Sequence, residues 1–222
     1  MAAISFGPVP MREYELEALE RGAGELGIPL SKAQKEMFQI YFHELLEWNR
    51  RVNLISKADE KRIVERHFLD SLTCFPYLPF QKGLRVIDVG AGAGFPGLPL
   101  KIARDDLVLK LVESKRRKVL FLRHLIARLK LTQVEAILGR VEEIGSEFDS
   151  FDVVLSRGVA RLPRLLQISF PLLKKGGTLI AYKGKEVEEE VLEALPVLER
   201  IGGGGIELKE VVPSLTGGGS KL

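Results

Sequence analysis

The chain has 222 residues, 45% hydrophobic and 28% charged, with a formal net charge of +3. That is enough for one sizeable core, or one core plus a small accessory unit, and argues against global disorder. No apolar stretch approaches the roughly 20 residues of a membrane span, Met1 to Pro10 lacks a secretion-signal pattern, and a lone cysteine, Cys74, excludes a disulfide framework or thiolate metal cluster. The expectation is a cytoplasmic protein with no membrane partner and no metal.

Ser31 and Gln34 have the spacing of a capping box. Behind them Met37, Ile40, Tyr41, Leu45, Trp48 and Val52 recur at helical spacing, which predicts a helix from Lys32 to Arg50. A second helical pattern, Ile63 to Leu72, ends near Pro76 and Pro79. These predict a helical N-terminal unit over residues 1–80. After Gly83 short β-rich runs alternate with helical ones. Strands are predicted at Leu84 to Val89, Leu107 to Val112, Val134 to Leu138, Phe151 to Leu155 and Thr178 to Tyr182. A helix is predicted from Lys115 to Lys130, with Val119, Leu122, Ile126 and Leu129 on one side. This alternation predicts an α/β, Rossmann-like domain over residues 81–222, its mostly parallel, doubly wound sheet binding ligand along the carboxyl edge. Gly202 to Gly205 and Gly217 to Gly219 read as turns or a loose tail.

Charge is unevenly spread. Between Lys101 and Arg140 eleven Lys or Arg stand against four acids, Asp105, Asp106, Glu113 and Glu135, whereas Glu186 to Glu199 holds six glutamates. The basic region reads as a face that meets an anion or as an ordinary solvated helix surface.

The chemistry concentrates in Val86-Ile87-Asp88-Val89-Gly90-Ala91-Gly92-Ala93-Gly94-Phe95-Pro96-Gly97. Glycines after a buried strand let backbone approach a ligand and turn into a helix. A dinucleotide loop needs its third glycine where Phe95 stands; here it comes one place early, at Gly94. Asp88 precedes the first glycine by two residues. A carboxylate there is poorly placed beside a pyrophosphate but suits a cationic sulfonium methionine moiety, directly or through water. Glu113, 23 residues after Gly90, ends the second strand where a carboxylate accepts from ribose hydroxyls. Together these favour S-adenosylmethionine over NAD as cofactor. Val141 and Glu142, after the third strand, lie where adenine is read in this fold, or are simply the start of a helix whose dipole favours acids.

The fourth strand runs into Ser156-Arg157-Gly158-Val159-Ala160-Arg161, where a methyl acceptor would meet the donor. The Asn/Asp-Pro-Pro-aromatic turn of exocyclic-amine methyltransferases is absent, and Cys74 lies outside the catalytic domain. An acceptor with a free lone pair, such as guanine N7, fits best. Catalysis would then be positioning and desolvation without a general base, with Arg157 as the positioning residue.

Five ordered motifs make the sequence similar to a known family: Trp48-Asn49-x-x-x-Asn53-Leu54, Arg66-His67-x-x-Asp70-Ser71-Leu72, the glycine loop from Asp88 to Gly97, Ser156-Arg157-Gly158-Val159-Ala160, and Lys183-Gly184. The chain resembles the bacterial RsmG (GidB) family of 16S rRNA guanine-N7 methyltransferases over roughly Phe42 to Val212. The resemblance implies methyl transfer to N7 of one guanine in the decoding-region loop of 16S rRNA, as naked RNA or in a small-subunit precursor, with a monomer as the expected state. It places the cofactor at Gly90, Phe95, the Glu113-Ser114-Lys115 turn, Val141-Glu142 and Arg157; the loop itself adds Asp88, Gly92 and Gly94.

The tail departs from the family, with Thr216-Gly217-Gly218-Gly219-Ser220 where a Gly-x-Arg-x-Leu entering a closing antiparallel strand is usual. Ser220-Lys221-Leu222 matches a peroxisomal address and reads as coincidence. An impaired RNA-binding or assembly protein of the same fold is the alternative function, and an NAD-dependent dehydrogenase a more distant one. Arg66 and His67 touch ligand or form a buried network joining the two units; His43 and His124 read as helix residues, and Trp48 as a core anchor. Lys115 to Lys118 either grip phosphates or form a solvated helix end.

Overall fold

The computed structural model describes residues 10–144, 150–184, 187–211 and 220–221. Helix α1 (Glu13–Glu25) opens on Glu15, which accepts from the Arg12 main-chain N–H at 2.8 Å and from its guanidinium at 2.7 Å. Helix α2 (Lys32–Val52) has the expected reciprocal cap. Gln34 N–H donates to Ser31 Oγ at 3.3 Å, and Ser31 N–H donates to Gln34 Oε1 at 2.8 Å. Asn53, in the left-handed region at φ 55°, ends it. Asn49 Oδ1 then accepts from the N–H groups of Leu54 and Ile55, at 2.6 and 2.9 Å, which fixes the chain's exit. The Trp48-to-Leu54 motif is thereby explained as a helix terminator.

The helical pattern predicted from Ile63 to Leu72 is helical throughout, but as a π-helical stretch, Val64–Leu69, followed by the short α3 (Asp70–Leu72). So short a stretch carries too few turns for apolar spacing to separate the two geometries.

The sheet is parallel throughout: β1 (Arg85–Val89), β2 (Val108–Glu113), β3 (Val134–Leu138), β4 (Phe151–Arg157) and β5 (Leu173–Tyr182), in the order β3-β2-β1-β4-β5. The accompanying helices are α4 (Gly97–Ala103), α5 (Arg116–Arg128), α6 (Val141–Ile144), α7 (Leu162–Ser169) and α8 (Val187–Ile201). β5 starts earlier than predicted because Leu173 already pairs with Phe151, before a register shift.

Alternate residues of the central strands bury on opposite faces, as the strand period requires. Val86, Leu109, Leu111, Val153 and Leu155 share one cluster with α2 (Phe38, Tyr41, Leu45), α4 and α5. Ile87, Val89, Val112 and Val154 share the other with α7 and α8. The N-terminal helices and one sheet face therefore form a single continuous core. Glu44 reinforces it, binding His124 at 2.7 Å and Arg128 at 2.9 Å, while Trp48 packs on Phe121 and His124 with centroids 5.7 and 5.2 Å apart. His124, expected as an ordinary helix residue, is thus a joint between α2 and α5.

A separate antiparallel pair, β6 (Glu210–Val211) and β7 (Ser220–Lys221), lies apart from the five-stranded sheet. The glycines expected to form a loose tail, Gly217 to Gly219, lie outside the described residues.

Candidate active site

The parallel order brings the carboxyl ends of β1, β2, β3 and β4 to one edge. Leaving β1, the chain curls over the end of β2: Gly90 and Ala91 N–H both donate to Val112 O, at 2.9 and 3.0 Å. Gly90, Gly92 and Gly94 have φ of 71°, 59° and 98°, conformations that L side chains resist. Space divides them further. A Cβ on Gly90 would stand 2.5 Å from Val159 Cγ2, and one on Gly94 would stand 2.6 Å from Leu98 Cδ1 and 2.7 Å from the Tyr41 hydroxyl. At Gly92 a Cβ would meet only ordinary contacts, Gly90 O at 3.8 Å and Lys118 Nζ at 3.9 Å, so this half-buried glycine is the least crowded of the three.

Glu113 is held beside it. Its Oε2 accepts from Gly92 N–H at 3.0 Å and its Oε1 from Lys115 N–H at 2.7 Å, with Ser114 Oγ at 3.4 Å. Two main-chain donors orient the carboxylate and leave each oxygen further accepting capacity. Gly139 N–H donates to Glu113 O at 3.1 Å, which brings the start of the Val141–Glu142 segment alongside. Val141 itself is buried in the second cluster, and the exposed Glu142 pairs with Arg164 at 3.0 Å.

Asp88 is fully buried. Its Oδ2 accepts from Gly97 N–H at 2.8 Å, while Oδ1 has no partner among the described residues. Burial pushes its pKa up to about 7. Contact between Asp88 and a ligand therefore needs an intervening water or local opening.

Phe95 is also closed off. Its ring stacks on Tyr41, with centroids 5.3 Å apart, and on His67 at 4.8 Å, and the Arg157 guanidinium lies 5.0 Å from its centroid. Its main-chain N–H is bonded within the loop, to Ala91 O at 3.1 Å.

Arg157 ends β4 with a side chain 20% exposed. Its Nη1 donates to Asp70 Oδ2 at 2.9 Å and to Arg66 O at 3.2 Å, and its Nη2 donates to His67 Nδ1 at 3.0 Å. The loop after it is clamped from β5 and α8. Lys183 Nζ donates to Ala160 O and Glu190 Oε2, both at 2.6 Å, and Glu190 Oε2 accepts from Leu162 N–H at 2.7 Å.

Against known proteins, the family model described as rRNA small subunit methyltransferase G (GidB) matches residues 34–200. The chain belongs to the rRNA small subunit methyltransferase G family. Within it, the protein of Staphylococcus haemolyticus (strain JCSC1435) is 44% identical over 190 residues, 85% of this chain and 79% of that one. The Bacillus cereus (strain AH187) protein is 40% identical over 199 residues, 88% and 82% of the two chains. Among solved structures, a SAM dependent methyltransferase from Aquifex aeolicus gives a TM-score of 0.53 at 20% identity, covering 74% of this chain and 94% of that one. M. jannaschii TYW2 in complex with AdoMet gives 0.52 at 21% identity, over 64% and 66%. These likenesses establish the fold as that of S-adenosylmethionine-dependent methyltransferases. Membership of the small-subunit rRNA methyltransferase G family leaves the nicotinamide dehydrogenase without support.

On this geometry the family motifs acquire tasks that residue spacing alone does not reveal. Arg66-His67-x-x-Asp70 surrounds Arg157, and Lys183 clamps the loop behind it. Tyr41, whose hydroxyl donates to Ala93 O at 2.7 Å, supports the glycine loop from α2. Asp70, Lys183, Glu190 and Tyr41 are not among the site residues expected from sequence; the quoted motifs are the signal available for Asp70 and Lys183.

Proposed function

We propose that this methyltransferase transfers the methyl group of S-adenosylmethionine to N7 of one guanine in the decoding-region loop of 16S rRNA, acting as a cytoplasmic monomer on the rRNA or a small-subunit precursor. The observation that carries the cofactor reading is the uncrowded Gly92 main chain beside an oriented Glu113, with an Asp88 oxygen that has no partner among the described residues beneath the loop. Bare backbone admits a ligand closely, a fixed carboxylate accepts from ribose hydroxyls, and an uncompensated buried oxygen favours a nearby cation through water. The residues present fit the cofactor. Gly90, Gly94 and the main chain of Phe95 shape the loop, Ser114 and Lys115 turn away from Glu113, and Val141 and Glu142 border the adenine side.

Bound here, S-adenosylmethionine supplies an electrophilic methyl group. The lone pair of guanine N7 lies in the plane of the base, so the protein needs no proton acceptor at that atom. Two nearby titratable groups are in keeping with that reading. His67 Nδ1 is occupied by Arg157, and Asp88 is sealed from the surface and bonded to Gly97 N–H. What remains for the protein is to hold donor and acceptor in line and exclude water. Arg157 does so with a planar donor group whose Nε–H has no partner among the described residues. The exposed Gly158 and Val159 border this position with little bulk, which suits a base drawn out of its stack.

Gly92→Val tests the seat of the cofactor. A branched side chain at φ 59° would project from the loop between Gly90 O and Lys118 Nζ, into the path proposed for the ligand. Calorimetry should find S-adenosylmethionine binding nearly abolished, with circular dichroism showing the fold retained. Unchanged affinity in the folded variant removes the loop from the site.

A further inference from the structure

Every polar contact made by the Arg157 side chain among the described residues comes from one stretch of the N-terminal helices, Arg66 to Asp70. The π-helical turn at Val64–Leu69 and the first residue of α3 bring His67, Asp70 and the Arg66 carbonyl onto the end of β4, some ninety residues away in sequence. We propose that Asp70 and His67 are positioning residues for methyl transfer. They act through Arg157, holding the outer edge of its guanidinium so that the Nε–H side stays directed at the reacting groups. This inference rests on the role given to Arg157 above.

Three observations support it. An arginine at the end of a strand has several rotatable bonds, and tying both terminal nitrogens before ligand arrives removes the ordering that binding would otherwise require. Asp70 is buried with its carboxylate on Nη1, a charge-assisted contact that fixes orientation as well as distance. His67 is kept neutral, because burial and then the nearby Arg157 cation hold its pKa down at about 3. Its Nδ1 can therefore accept from Arg157, which places the proton on Nε2. That second nitrogen is buried without a partner among the described residues. A buried donor left unpaired is unfavourable, and at this position it accompanies an acceptor presented to Arg157. The ring also stacks on Phe95, tying the arginine mount to the glycine loop that Tyr41 supports.

Double-mutant cycles on methyl transfer to small-subunit rRNA test the inference, with thermal unfolding measured for every variant. His67→Phe keeps a ring against Phe95 and loses the acceptor; His67→Asn keeps an acceptor and loses the ring. Asp70→Ala removes the carboxylate, and Asp70→Asn preserves its shape should the alanine variant fail to fold. Asp70→Ala and His67→Phe should each lower kcat/KM by about tenfold or more. His67→Asn should recover much of what His67→Phe loses. In an Arg157→Ala background the same substitutions should change kcat/KM by less than about twofold. Losses that persist at full size in that background overturn the inference while leaving the role of Arg157 intact. Wild-type kcat/KM in Arg157→Ala alone overturns that role instead, and the inference with it.

Discussion

Glu113 reaches the open edge of the sheet with both oxygens already bonded to main-chain N–H groups, whereas Asp88 lies beneath it with one oxygen bonded and one bare. If Glu113 accepts from the ribose as proposed, Glu113→Ala removes hydrogen bonds worth about 1.5–3 kcal/mol each, and it leaves the Gly92 and Lys115 N–H groups without their acceptor. Calorimetry should show S-adenosylmethionine affinity falling at least about tenfold, with the 2′-deoxy analogue then bound nearly as well as the parent. Wild-type affinity would contradict the assignment. For Asp88 the pKa of about 7, against an ordinary 3.8, makes pH the probe. The free enzyme carries a neutral Asp88 below about 7 and a charged one above, and the cationic cofactor favours the charged form. Thus kcat/KM for S-adenosylmethionine should rise with pH through about 7 and then level, while kcat at saturation stays flat between about pH 6 and 9, no base being needed at N7. Stability runs the other way. A carboxyl whose folded pKa is raised contributes stability that is fully present below 3.8 and lost as pH rises through about 7. Asp88→Asn retains an acceptor for Gly97 N–H, so it should melt higher than wild type at pH 8 and lose the kcat/KM step. A wild-type profile without that step would contradict the role.

Among the elements, α5 begins unusually. Lys115 caps it, Arg116 and Arg117 follow exposed, and its first turn contains no acid, although the positive end of a helix dipole disfavours cations. An anion there relieves that repulsion, and an rRNA phosphate is the anion the proposed function supplies. Lys118 differs: its Nζ would lie 3.9 Å from a Cβ on Gly92, so it sits beside the glycine loop. Replacing Lys115, Arg116 and Arg117 by Gln should weaken rRNA binding. The log–log salt dependence should flatten by about 0.7 for each single-strand phosphate that the variant no longer neutralises. Unchanged affinity and slope would return α5 to an ordinary solvated surface. The elements themselves are legible in the sequence to different degrees. α2 shows by its long apolar period and Ser31 cap, β1 by its place between Gly83 and the glycine loop, and β2 to β4 as short β-rich runs alternating with helical segments. α1 escapes because Gly22 and Gly24 dilute its last turns, and α8 because Pro196 and a run of glutamates interrupt its apolar face. The start of β5 hides in Lys174 to Gly177, whose composition reads as a turn.

At the scale of the molecule, the helices over the first eighty residues and one sheet face share a core, and the same helices supply the groups around Arg157. Local sequence exposes the glycine loop, Asp88 and Glu113, because these lie at strand ends where spacing has a fixed meaning. It leaves open whether Arg66 and His67 meet ligand or join the units. That choice depends on a tertiary contact between residues 90 positions apart in the chain. The structure joins His67, Asp70 and the Arg66 carbonyl to Arg157, while the exposed Arg66 side chain turns to Asp59 at 3.4 Å.

The central claim is the atom that receives the methyl group. The direct measurement is to incubate the protein with S-adenosylmethionine and small-subunit rRNA lacking the modification, digest the RNA, and identify the methylated nucleoside by chromatography and mass spectrometry. The account predicts 7-methylguanosine at a single site in the decoding-region loop. Methylation on an exocyclic amine or at C5 of a pyrimidine would contradict the N7 assignment, and no incorporation into RNA by a chain that binds S-adenosylmethionine would contradict the proposed reaction itself.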